Sequence, residues 1–264
     1  MNGLGIRASR HALIIAVPNA RGEKEIPGTI ADLNSWQRFL VEDGAGAWEP
    51  GEITPLLNPT KVQVLTCVER IRRAKPDYVL VAFSGHGDHA LTSATSGFDR
   101  LVLGDGECVS ETQLDPGTGR TLLVLDACRG ISLDLILKAQ RELAGMMKFA
   151  EDRGGYRAAC RQAFDRAVLA AEQGTITLRS CAVGESASED KRAGGAFTQA
   201  FIFAGSEWVR AKGPLRSPAD QVLECDVAFS TASVDVTAKF PNQHPVATIG
   251  RRRKAFPFAV APAR

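Results

Sequence analysis

A thiol and an imidazole are the side chains of this sequence best suited to chemistry. Cys128 lies in TLLVLDACRG, residues 121–130, and His86 stands 42 residues earlier in FSGHG, residues 83–87. A thiol attacks as its thiolate, and with a free pKa of about 8.5 it needs a neighbouring imidazole or positive environment. The same imidazole can protonate a leaving amine. The tetrahedral intermediate formed on such a thiol needs N–H donors where the oxyanion develops. Gly87 and Cys128 itself can present backbone N–H groups to one point, and Gly at 85 and 87 lets the backbone approach a substrate without a Cβ in the way. These are the parts of a cysteine hydrolase acting on an acyl bond. The plainer reading of Cys128 is a small core hydrophobe beside a turn, so the elements that position it must decide.

Those elements alternate. His11 to Val17, Glu52 to Leu57, Asp77 to Phe83, Leu122 to Leu125 and Thr175 to Cys181 read as strands. Apolar residues at helical spacing mark a helix from Thr29 to about Asp43, another capped by Thr60 and running to about Ala74, and a third from Ala196 to about Lys212. Arg100 to Val109, with its central Gly-Asp-Gly, reads as a rim hairpin. Strands alternating with helices predict an α/β fold with about six mainly parallel strands and helices on both faces, as one domain over 1–264. The third strand ends at His86 and the fourth at Cys128, the sheet edge at which α/β folds bind ligands. Ser132 to about Asp152 and Tyr156 to Gln173 read as helices, Asp220 to Lys239 includes one, Val246 to Ile249 forms an edge strand, and Arg251–Lys254 is a solvated tail.

Composition excludes several function classes. A net charge of +2 gives no case for nucleic acid or an anionic membrane. No apolar run approaches the roughly 18 residues of a membrane span, and the six residues Ala12 to Val17 are too few for a signal peptide. The six cysteines form no C-x-x-C pair and read as reduced thiols. The expectation is a soluble cytoplasmic protein.

SGHG after one buried strand and DACRG after the next resemble the caspase-like cysteine peptidases, the caspase, metacaspase and orthocaspase group. Caspases carry Q-A-C-[RQG]-G about 50 residues after the His; here Asp126 replaces Gln, as in the D-[SA]-C of metacaspases and bacterial orthocaspases. The resemblance covers about residues 10 to 210 and implies a dyad of Cys128 as nucleophile and His86 as general acid/base. It also implies an S1 pocket lined by Asp32, Ser84 and Asp126, although Thr29 stands where many relatives have Cys. Two carboxylates converging on a small pocket favour a guanidinium or ammonium, so cleavage after Arg and Lys in protein or peptide substrates is expected. Asp32 also reads as a helix-start acid favoured by the dipole, whereas Asp126 is harder to explain outside the pocket.

In caspase relatives the segment after the nucleophile strand is where zymogens are cut. Here 131–174 separates a large-subunit-like part, 10–130, from a small-subunit-like part, 175–264. It carries Lys138, Arg141, Lys148, Arg153, Arg157, Arg161 and Arg166, so self-cleavage, an upstream activating protease and a purely structural insertion are all open. The family further implies a role in cell death, stress or antiviral defence. The alternative from another class is a catalytically silent caspase-like interaction module. His86 and His89 have metal-ligand spacing but share no helix face, and Asp88 and Asp99 form no clustered Ca²⁺ ligand set, so neither a metal nor another cofactor is expected. Cys181 reads as a buried structural thiol, and Gly184 through Glu189 as either a groove-shaping loop, as in bacterial relatives, or a solvated one.

Overall fold

The computed structural model describes residues 7–91, 97–130, 154–212 and 217–263; the helix expected over Ser132 to Asp152 lies outside them. In chain order the elements are β1 (Arg10–Ala16), α1 (Gly28–Val41), β2 (Ile53–Leu57), α2 (Lys61–Ala74), β3 (Tyr78–Ser84), β4 (Gly87–Leu91), β5 (Gly97–Val102), β6 (Cys108–Ser110), α3 (Glu111–Leu114) and β7 (Arg120–Asp126). There follow α4 (Gly154–Ala170), β8 (Gly174–Arg179), β9 (Glu189–Asp190), β10 (Gly194–Gly195), α5 (Ala196–Lys212), β11 (Gln221–Glu224), α6 (Cys225–Lys239), β12 (Val246–Thr248) and β13 (Pro257–Ala261).

A six-stranded sheet runs in the order β12-β8-β7-β3-β1-β2. All its pairings are parallel except β12 with β8. The expected α/β architecture is therefore present. Side chains alternate across a strand, and here both faces are apolar. Ala12, Ile14, Leu80, Ala82, Leu122 and Val124 face a core built with α1, α4, α5 and α6. Leu13, Ile15, Val79, Val81, Leu123 and Leu125 face a second core with α2, α3 and the rim strands. Continuous apolar runs are what strands buried on both faces require.

Three local expectations change. Residues 87–91, for which no strand was expected, form β4, which pairs with β5 and then β6 in a three-stranded antiparallel rim. Arg251–Lys254 is no tail, since Phe256 to Ala261 is buried and β13 pairs with β11. The helix read from Tyr156 starts at Gly154, and its Cys160, Ala163, Phe164 and Val168 are part of the first core. Among the described residues no helix is long and apolar enough to cross a membrane.

Candidate active site

Strand register brings the chemistry together. β3 and β7 pair in parallel so that Ser84 lies opposite Asp126, and both strands then turn, into His86-Gly87 and Ala127-Cys128. The two turns touch. A Cβ at Gly87 would stand 2.9 Å from the Ala127 Cβ and 3.1 Å from the Cys128 carbonyl oxygen, so glycine is needed there for packing. Behind the turns, Ser180 Oγ donates to the Ala127 carbonyl and accepts from the Ala127 N–H, at 3.1 and 3.2 Å.

α1 supplies Asp32. Its buried residues Gly28, Thr29, Asp32, Leu33, Trp36, Phe39 and Leu40 form one helical face, and Asp32 occupies that face near the helix N-terminus, above the strand ends. Ser84 Oγ donates to Asp32 at 2.5 Å, Gly195 N–H at 3.0 Å and Gln199 Nε2 at 2.8 Å. Asp126 accepts from the N–H and hydroxyl of Thr198 at 2.9 and 2.7 Å. Both acids are thus tied to the first turn of α5, whose unpaired N–H groups and positive dipole end suit carboxylates. Close approach needs Gly194 and Gly195, where a Cβ would fall 2.2 Å from Asp32 Oδ1 and 2.3 Å from Asp126 Oδ2. Asp126 therefore has a structural task beside any pocket role, which the sequence reading did not allow it. Burial, and then the Asp126 charge, raises the Asp32 pKa to about 7; burial likewise raises that of Asp126.

A cavity of about 70 Å³ joins these groups, lined among others by Asp32, Ser84, His86, Asp126, Cys128 and Glu189. The cavity thus brings together the residues proposed for the dyad and the pocket, while Gly87 does not line it and packs against Ala127 and the Cys128 carbonyl. His86 and Cys128 are not hydrogen-bonded to each other: the His86 imidazole meets the Lys24 carbonyl, and the Ala187 N–H donates to Cys128 Sγ at 3.3 Å. Ala187 belongs to the loop that follows β8. Glu185 anchors that loop by accepting from the His244 N–H at 2.8 Å and meeting its imidazole at 2.6 Å. Gln243 accepts from the Ser188 N–H at 2.9 Å. Ala187, Ser188 and Glu189 of this loop therefore form a wall of the site.

The sequence reading missed Thr198, Gln199 and the Gly194-Gly195 pair. Two glycines directly before a helix whose first turn holds Thr and Gln were the available signal. The remaining candidates are engaged elsewhere. His89 Nδ1 and the Arg129 and Arg179 guanidinia bind Asp99 at 2.7, 3.0 and 2.9 Å, and Asp88 pairs with Arg100. Cys181 is fully buried, with its thiol pushed up to about 12 by that burial.

A family described as the caspase domain matches residues 9–217. The chain belongs to that family. The crystal structure of caspase-1 from Spodoptera frugiperda is similar with a TM-score of 0.61 at 15% identity, over 98% of this chain and 93% of that one, a likeness of fold. No curated protein matches the chain by sequence. Membership in the caspase domain family supports a cysteine peptidase acting on protein substrates.

Proposed function

We propose that this chain is an endopeptidase that cleaves after Arg, and after Lys, through a thioester on Cys128. The observation that carries it is the pairing of two buried carboxylates, Asp32 and Asp126, in the same cavity as His86 and Cys128. Such a floor attracts a guanidinium or ammonium and repels a substrate aspartate.

In the reaction the Cys128 thiolate attacks the carbonyl carbon of the residue held in the pocket, and the carbonyl electron pair moves onto oxygen. The backbone N–H groups of Gly87 and Cys128 are assigned to stabilise that oxyanion. Collapse of the intermediate breaks the C–N bond as protonated His86 delivers its proton to the leaving amine. Water, deprotonated by His86, then hydrolyses the thioester and releases the acid product and the thiol. For this His86 must leave Lys24 and Cys128 must leave Ala187. Catalytic hydrogen bonds that are loose in the free protein commonly tighten with substrate.

Regulation by cleavage belongs to 131–153 on this reading, because the basic residues of α4 are engaged. Arg157 donates to the Val41 and Trp48 carbonyls at 2.7 and 3.0 Å, Arg161 to that of Ala47 at 3.0 Å, and Arg166 pairs with Asp220. Lys138, Arg141, Lys148 and Arg153 remain as targets for the chain itself or for a partner protease.

The unpaired dyad favours a second reading, a silent caspase-like module. Fluorogenic peptides differing only at P1, with Arg, Lys or Asp, separate the two. Wild type should turn over the Arg and Lys peptides and Cys128→Ala neither. Preference for Asp would overturn the pocket, and no turnover of any peptide, even after limited proteolysis, would favour the silent module.

A further inference from the structure

We infer that the end of the sheet opposite the active site is a docking surface for the phosphate backbone of a nucleic-acid duplex. The inference does not depend on the peptidase reading and concerns a different face of the molecule.

The whole-chain charge of +2 hides a segregation. Four segments meet where the parallel strands begin: residues 72–75 at the end of α2, 115–120 leading into β7, 172–175 leading into β8, and 250–254 beyond β12. Hydrogen bonds join them in a row. Arg72 donates to the Pro116 carbonyl at 3.1 Å, Thr175 Oγ to Asp115 at 2.6 Å, and Arg252 to the Thr175 carbonyl at 3.3 Å. These segments hold eight of the chain's 32 Lys and Arg but two of its 30 Asp and Glu. They therefore carry +6, and the rest of the chain −4.

Two of these bases build the surface and the others face out of it. Arg252 Nε donates to the Ile249 carbonyl at 2.7 Å, and its guanidinium lies 4.9 Å from the Phe256 ring centre. Glu172 and Glu224 accept the Arg253 and Ala255 N–H groups at 2.7 and 2.8 Å, which pins the loop and engages both acids with its backbone. Arg120 is held by the Ala171 and Leu169 carbonyls. Lys75, Arg251, Arg253 and Lys254 are exposed, and among the described residues no carboxylate stands within ion-pair distance of them. Arg72 and Arg73 share the single Glu69, at 2.7 and 2.9 Å, which leaves a fifth charge over. Like charges crowded at one end repel one another, so the arrangement suits an external anion.

The composition of this end selects the anion. None of the four segments contains an aromatic residue, Val, Ile, Leu or Met. A protein partner docks through buried aromatic and apolar anchors. A membrane surface takes apolar side chains beside the charges, and single strands stack on aromatic rings. A duplex needs none of these, since it offers regularly spaced phosphates to Lys and Arg.

The test is fluorescence anisotropy with labelled DNA and RNA duplexes of one sequence, the corresponding single-stranded DNA, polyglutamate of matched charge and phosphatidylserine vesicles. Five charges predict a slope of log affinity against log salt of about −4.5, so duplex binding should weaken several hundredfold between about 50 and about 200 mM salt. The tighter of the two duplexes names the polymer. Arg251→Ser/Arg253→Ser/Lys254→Ser should weaken duplex binding about tenfold or more at the lower salt and flatten the slope by about three, with the thermal midpoint unchanged. Should that variant not fold, Arg73→Ser/Lys75→Ser reads the other end of the row and should flatten the slope by about two. Arg38→Ser/Arg210→Ser/Lys239→Ser removes three exposed bases from other faces and should leave affinity and slope as in wild type. Absence of duplex binding at the lower salt overturns the inference, as does an equal loss in the control variant. Tighter binding of the single strand, polyglutamate or the vesicles than of either duplex overturns it as well.

Discussion

At the scale of single residues, the pair Asp32 and Asp126 sets the electrostatics of the site. Two carboxylates buried against the same Gly195 resist being charged together. The folded state holds a proton on Asp32 between its ordinary 3.8 and about 7. A carboxyl whose folded pKa is raised stabilises the fold at low pH and loses that contribution as pH rises through this window. Asp126→Asn removes one of the two causes, the neighbouring charge, and leaves an acceptor for Thr198. Unfolding free energies measured from pH 4.5 to 8 should therefore fall less steeply in Asp126→Asn than in wild type. Parallel curves would mean that the two acids do not interact. The same proton opposes a cationic side chain, so turnover of Arg peptides should strengthen as pH rises toward 7.

At the scale of elements, the site depends on two strand ends held side by side. Gly87 is the contact point, pressed by the Ala127 side chain and by the Arg100 and Cys128 carbonyls. None of these is the far end of a flexible chain, so Gly87→Ala must move the His86 turn away from the nucleophile. Overpacking of this kind costs about 1–3 kcal/mol. Turnover should fall by at least about tenfold with only a modest loss of thermal midpoint; activity within twofold of wild type would show that the turns are not coupled. Much of this was legible in the sequence, because apolar runs ending in SGHG and DACRG fix both strand and strand end. The α1 face was also legible, since Leu33, Trp36 and Leu40 repeat at helical spacing. The tie of α5 to both acids was not, because it depends on how closely a glycine pair lets one helix end approach another. The β11–β13 pairing and the β4 strand were equally hidden, the first joining segments about 35 residues apart and the second built from Gly, Asp and His, which lack β propensity or apolar alternation.

At the scale of the whole molecule, the sheet separates two cores, and the site occupies one edge of that sheet while the opposite end is closed by a buried cation. Arg10 lies between Glu52 and Asp165 and over Trp48 and Phe164, 4.7 and 5.1 Å from their ring centres. α4 packs into the same region, so cutting within it would expose core residues such as Phe164. Processing confined to 131–153 would leave α4 uncut. This is why the account places any activating cut there rather than across the whole of 131–174.

The most direct measurement of the central claim is the intact mass of wild type and Cys128→Ala after exposure to peptidyl chloromethyl ketones with Arg or Asp at P1. The account predicts one Arg-derived adduct on wild type at Cys128, none on Cys128→Ala, no Asp-derived adduct, and any chain cuts within 131–153. Labelling by the Asp reagent in preference to the Arg reagent, or an adduct that survives loss of Cys128, would contradict it.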